Sequence, residues 1–189
     1  MNRRGKKPGA AAIVPRTDLM ISGHRMDAAY CVPQLAANAA GPWQAEADKY
    51  AWTDLHTGLP CIIRRMPGGY LSGFVGVPAG HPLYGWSAHA VPSERVRSHG
   101  GLDYARPCDE SGPEAISICH VRSHNVESHD DAWWFGFSCD KLQDLVPDNT
   151  GHAARARTQG LTQTYRDSQY VLSRCEELAN DLAKAGEAR

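Results

Sequence analysis

Two β-forming runs, PCIIRR at 60–65 and YLSGFVGV at 70–77, stand on either side of Pro67-Gly68-Gly69. Branched and aromatic residues flanking a proline–glycine turn predict an antiparallel hairpin. Gly73 and Gly76 fall inside the second run. A glycine weakens a strand unless a bulge or a close neighbour requires it, so tight packing is expected there.

Further strands follow from the same alternation. In AISICHVR (115–122), Ile116, Ile118 and His120 share one face. In AWWFGFSC (132–139), Trp133, Phe135 and Phe137 share one face and Trp134 points the other way. Period-two segments of this kind read as half-buried strands. The two are expected to pair, with SHNVESHDD (123–131) as a solvated link, and a short strand is expected at 102–105. Trp134 is expected to be covered, by the helix described next, or to form a contact surface.

The C-terminal part has a different period. Val171, Cys175, Leu178 and Leu182 step by four, three and four, drawing one apolar stripe on a helix. Thr164 with Asp167 resembles a capping box, and Gly186 is a suitable stop. The segment GHAARARTQGLTQ (151–163) reads as an exposed loop. The fold class expected is α+β: an antiparallel sheet with a C-terminal amphipathic helix packed on it. Residues 1–42, rich in Ala, Gly and Pro, read as a loosely ordered extension, and 43–186 as a single domain.

Charge and cysteine usage narrow the functional classes. The formal net charge is −1, so no global field draws the chain to nucleic acid or membrane. Arg3, Arg4, Lys6 and Lys7 form a local basic tail that suits contact with nucleic acid. No run approaches the ~18 apolar residues of a membrane span, and no apolar signal core precedes Arg16 and Asp18. The six cysteines are widely spaced without C-x-x-C, which predicts reduced thiols in a cytoplasm.

The stretch CHVRSHNVESHDDAWWFGFSCD (119–140) supplies metal-ligand types in Cys119, His120, His124, His129, Asp130 and Asp131. Their spacing matches no zinc motif, and Cys119 and His120 would face opposite ways on a strand. A hairpin loop is therefore expected there, with no metal and no cofactor. A second set lies in turns and at strand ends: His81 in GHPLYG beside Tyr84, His99 before Gly100-Gly101, and Asp140 and Asp144 after the aromatic strand. A histidine beside a carboxylate can act as a base, and a Gly-Gly turn can cradle an anion. Cys139 reads as a buried structural cysteine. The P-loop, dinucleotide, zinc-protease and serine-hydrolase signatures are absent.

Taken in order, GLPCIIRR, GFVGVPAGHPLYG, HGGLDYA, WWFGFSCDKLQDLVP and YRDSQYV resemble a family of small phage and prophage proteins. The pattern of that family runs G-L-P-C, G-Y-V-G-V-P-x-G-H-P-x-Y-G, H-G-G-L-T, W-W-F-G-F-D-C-x-H-x-x-D and Y-R-D-x-x-Y-V. The likeness covers about residues 43–184 and brings no assigned activity. The polar positions it matches are Cys61, His81, Tyr84, His99, Cys139, Asp144, Tyr165, Arg166, Asp167 and Tyr170. Ser138 stands where the pattern has aspartate and Lys141 where it has histidine, which weakens any catalytic reading of that cluster.

The function expected is a cytoplasmic accessory protein that binds a host protein, a nucleotide or a nucleic acid. Its candidate contacts are His81, Tyr84, His99, Gly100, Gly101, Trp134, Asp140, Asp144 and Arg166. The competing expectation is a metal-dependent hydrolase or phosphoesterase built on His81, His99, Asp140 and Asp144.

Overall fold

The computed structural model describes residue 16 and residues 18–108, 112–120 and 131–187. Its strands are β1 (Met20–Ile21), β2 (His24–Arg25), β3 (Ala28–Tyr30), β4 (Lys49–Thr53), β5 (Pro60–Arg65), β6 (Leu71–Val77), β7 (Tyr104–Pro107) and β8 (Trp133–Ser138). Its α-helices are α1 (Thr150–Thr158) and α2 (Ser168–Glu187). β1 and β2 form a small hairpin, and the other six strands form one antiparallel sheet in the order β3-β4-β5-β6-β8-β7. The architecture is α+β, and no described helix is long and apolar enough to cross a membrane.

The pleat sorts side chains between two faces. Tyr50 and Trp52 of β4, Cys61 and Ile63 of β5, Leu71, Val75 and Val77 of β6, and Phe135 and Phe137 of β8 form one core with Val171, Leu172, Cys175, Leu178, Ala179 and Leu182 of α2. This is the apolar stripe expected of the helix. Asp167 caps α2 through a bond from the Tyr170 amide, 2.8 Å, and not through a box opened by Thr164. Gly73 is needed at this interface, because a Cβ there would lie 2.5 Å from Phe137 and 2.6 Å from Cys175 Sγ.

The opposite face carries Ala51, Ile62, Phe74 and Trp134, covered by Ile118. Residues 115–120 are not a strand, and β8 pairs with β6 and β7 instead. Pro113 opens a turn, its carbonyl accepting from the Ile116 and Ser117 amides. Buried Lys49 reaches across from β4 to the carbonyls of Glu114 and Cys119. The alternation of AISICHVR thus serves a loop pressed on the sheet. The link at 123–131 falls almost wholly outside the described residues, with only Asp131 described, and exposed.

Other expectations are corrected. β3, inside the supposed loose extension, is a wholly buried edge of the main sheet, so ordered structure begins well before Trp43. The segment read as a loop at 151–163 contains α1, capped by Asn149, whose side chain accepts from the His152 amide at 2.9 Å. Cys108 and Cys119 form a disulfide, with Cα atoms 5.0 Å apart, while Cys31, Cys61, Cys139 and Cys175 are free.

Candidate functional site

The turn before β7, the turn after β8 and the start of α2 meet at one place. Asp144, wholly buried, is the centre. Its Oδ2 accepts from His99 Nε2 at 2.6 Å and from the Lys141 amide at 2.9 Å, and its Oδ1 accepts from Arg166 Nε at 2.8 Å. Its backbone carbonyl accepts from Gln163 at 2.9 Å and lies 3.0 Å from His152 Nε2. Burial alone would raise the Asp144 carboxyl, but the bonds from His99 and Arg166 outweigh it and hold the group below the ordinary aspartate range.

An ionised Asp144 fixes the imidazole. Nε2 of His99 carries the proton it donates, and in the neutral ring Nδ1 then accepts from the Tyr170 hydroxyl, 2.8 Å away. The His99 and Tyr170 rings meet edge to face, with centroids 5.5 Å apart. Burial raises the Tyr170 phenol, against the lowering field of Arg166 and Arg174. Both guanidiniums lie over its ring, at 4.7 and 5.4 Å from the centroid. Among the described residues Arg166 uses only Nε, which leaves its two outer nitrogens without an acceptor. Arg174 binds Glu177 through Nη1 at 2.8 Å, and its buried Nε has no partner.

The Gly-Gly turn is part of this assembly. Gly100 and Gly101 both take positive φ, 69° and 92°, where glycine is the favoured residue. A Cβ on Gly100 would meet the Lys141 side chain at 2.6 Å. Lys141 in turn pairs with Asp103 at 2.8 Å and Asp140 at 3.3 Å. Lys141 is therefore the brace between two turns.

The remaining expected residues lie elsewhere. His81 spends both ring nitrogens on its own loop and α2: Nδ1 accepts from the Leu83 amide, and Nε2 lies 2.9 Å from the Leu182 carbonyl. Leu182 is twelve residues along α2 from Tyr170, about 18 Å at 1.5 Å per residue. His81 therefore does not join His99, Asp140 and Asp144 in one centre. Tyr84 packs on Trp133, 5.8 Å between centroids, beside exposed Trp86. Trp134 is fully buried and has no face open for stacking, since Ile118 and the sheet enclose it. Of the metal-ligand residue types on 119–131, where a plain hairpin loop is expected, Cys119 is in the disulfide and His120 bonds Glu114 at 2.8 Å. His124, His129 and Asp130 lie outside the described residues, as do Arg3, Arg4, Lys6 and Lys7. Burial pushes the Cys139 thiol up, in keeping with a structural role.

Arg174 and Tyr170 were not singled out as contacts from the residues alone. Their i,i+4 spacing on a helix was the available signal, since it stacks the two side chains on one face. His152 and Gln163 were missed because they sit in the segment read as a loop. Comparison with protein-family models, with curated proteins and with solved structures found no match.

Proposed function

We propose that the chain is an accessory protein of the phage type that acts by binding, and that its ligand presents an anionic group, such as the phosphates of a nucleotide, to Arg166 and Arg174. The observation that carries this reading is the pair of guanidiniums over the Tyr170 ring, with the outer nitrogens of Arg166 unused among the described residues. A guanidinium offers a planar fork matched to phosphate or carboxylate, and an arene behind it keeps that fork in place. Asp144 and His99 hold the platform. The amides at the helix start do not compete for the anion, since Ser168 and Tyr170 already donate to Glu46 and Asp167.

The saturation of Asp144 favours binding over metal chemistry. A cation there would have to displace an arginine and a protonated imidazole nitrogen from its carboxylate. The Asp144–His99–Tyr170 chain does support a second reading, proton transfer through the Tyr170 hydroxyl in a hydrolytic reaction. That reading expects turnover of an activated phosphate ester that disappears in His99→Ala. The Cys108–Cys119 bond favours an oxidising compartment over a reducing cytoplasm.

The test is calorimetric titration with ATP and with inorganic pyrophosphate. Arg174→Gln leaves the Asp144 bonds intact and should weaken binding about tenfold, the scale of one charge-assisted hydrogen bond. No binding by the wild type, or equal affinity in Arg174→Gln, overturns the proposal.

A further inference from the structure

A second cluster is built by elements remote in sequence. His24 of β2, Asp54 just after β4 and Glu176 in the middle of α2 bring one donor atom each to within 4.8 Å of one another. Asp54 is held rigidly: both the amide and the hydroxyl of Thr57 donate to its Oδ2, at 2.8 and 2.6 Å. That leaves Oδ1 without a hydrogen-bonding partner among the described residues. The Asp54 residue is 3% exposed, while His24 and Glu176 are half-buried.

The charges do not balance. Two carboxylates converge here, and among the described residues no lysine or arginine pairs with either one. Among the described residues the only positive partner is His24, whose Nε2 lies 2.7 Å from Glu176 Oε1. Its Nδ1 is buried and has no hydrogen-bond partner. A neutral imidazole therefore leaves one nitrogen unsatisfied in either tautomer. A buried carboxylate beside a second carboxylate is costly unless a cation sits between them.

We infer that His24, Asp54 and Glu176 form a binding site for a divalent transition-metal ion, zinc or manganese in type. One imidazole and two carboxylates suit such ions. Ligand bonds of roughly 2.0–2.2 Å place donors about 3.0–3.5 Å apart. The cluster reaches that spacing by a small opening of the His24–Glu176 contact and a small inward movement of Asp54. The half-exposed side of the cluster leaves room for water in the remaining positions. The ion ties the β1–β2 hairpin to the β4–β5 turn and to α2, adding to the His24–Glu176 contact that already joins hairpin and helix.

The full chain, stripped with a chelator, is titrated with Zn²⁺ and separately with Mn²⁺ by calorimetry. The wild type should take up one ion in a site that Glu176→Gln and Asp54→Asn weaken at least tenfold. His89→Ala, which removes an exposed histidine outside the cluster, should leave that site unchanged. Glu176 is half-exposed, so Glu176→Gln should keep its fold, as circular dichroism checks. The thermal midpoint should rise with Zn²⁺ in the wild type and not in Glu176→Gln. Equal uptake by wild type and Glu176→Gln, or no uptake by either, overturns the inference.

Discussion

Asp144→Asn replaces a buried carboxylate by a group of the same shape, so the change isolates charge and acceptor capacity. Asp144 accepts three hydrogen bonds on its two carboxylate oxygens. An amide must turn its NH₂ toward either Arg166 or the His99–Lys141 side, where donors already point. Removing one member of a buried ion pair costs about 3–5 kcal/mol when the partner is also buried. Here the Asp144 side chain is 1% exposed, but Arg166 and His99 are 24% and 12% exposed. Water can partly resolvate them, which brings the expected loss down to about 2–3 kcal/mol. For a chain of this size that lowers the thermal midpoint by about 4–12 °C. Calorimetric unfolding of Asp144→Asn, Arg166→Gln and the double variant measures the loss and its coupling. The sign of the pH dependence is fixed too. The folded carboxyl titrates below its unfolded value, so its contribution is complete above the usual aspartate range. It fades as pH falls through the lower, folded value. The gap between wild type and Asp144→Asn should therefore be flat near neutrality and close in acid. A loss under about 0.5 kcal/mol, the range of an ordinary surface substitution, would refute the clamp.

Gly73→Ala should destabilise by about 1–3 kcal/mol through overpacking, read from the urea midpoint. Adding Cys175→Ala, which removes the sulfur that the new methyl would meet beside the Phe137 ring, should recover part of that loss. The Cys108–Cys119 bond closes a short loop, sequence separation 11, whose cross-link entropy is about 3 kcal/mol. Cys108→Ser should lose stability on that scale without reductant. Thiol titration of the unfolded wild type should count four free cysteines, and a count of six would contradict the bond.

The hairpin of β5 and β6, the facing of the β8 aromatics and the stripe of α2 were legible because each is a local pattern with a strong period. β3 was not, since Ala28 and Ala29 carry no β signal and owe their place to pairing with β4. α1 was missed for a related reason: only His152 and Ala156 are buried along it, which is too little to draw a stripe. The segment 115–120 misled in the opposite direction, its alternation outweighed by the turn at Pro113 and by Lys49. The site was half legible. His99, Gly100, Asp144 and Arg166 were named, but the sequence could not tell that His81 belongs to the other end of a helix. Nor could spacing alone bring His24, Asp54 and Glu176 together, because their proximity exists only after the small hairpin folds onto α2.

The rigidity of α2 sets a ruler across this surface. Tyr170 is anchored near its first turn and His81 near its last, about 18 Å apart along the axis. A hydrogen-bonded helix does not shorten to suit a guest. Any molecule that touches both the arginine-flanked phenol and the loop around Tyr84 and Trp86 must itself be long enough to bridge that interval.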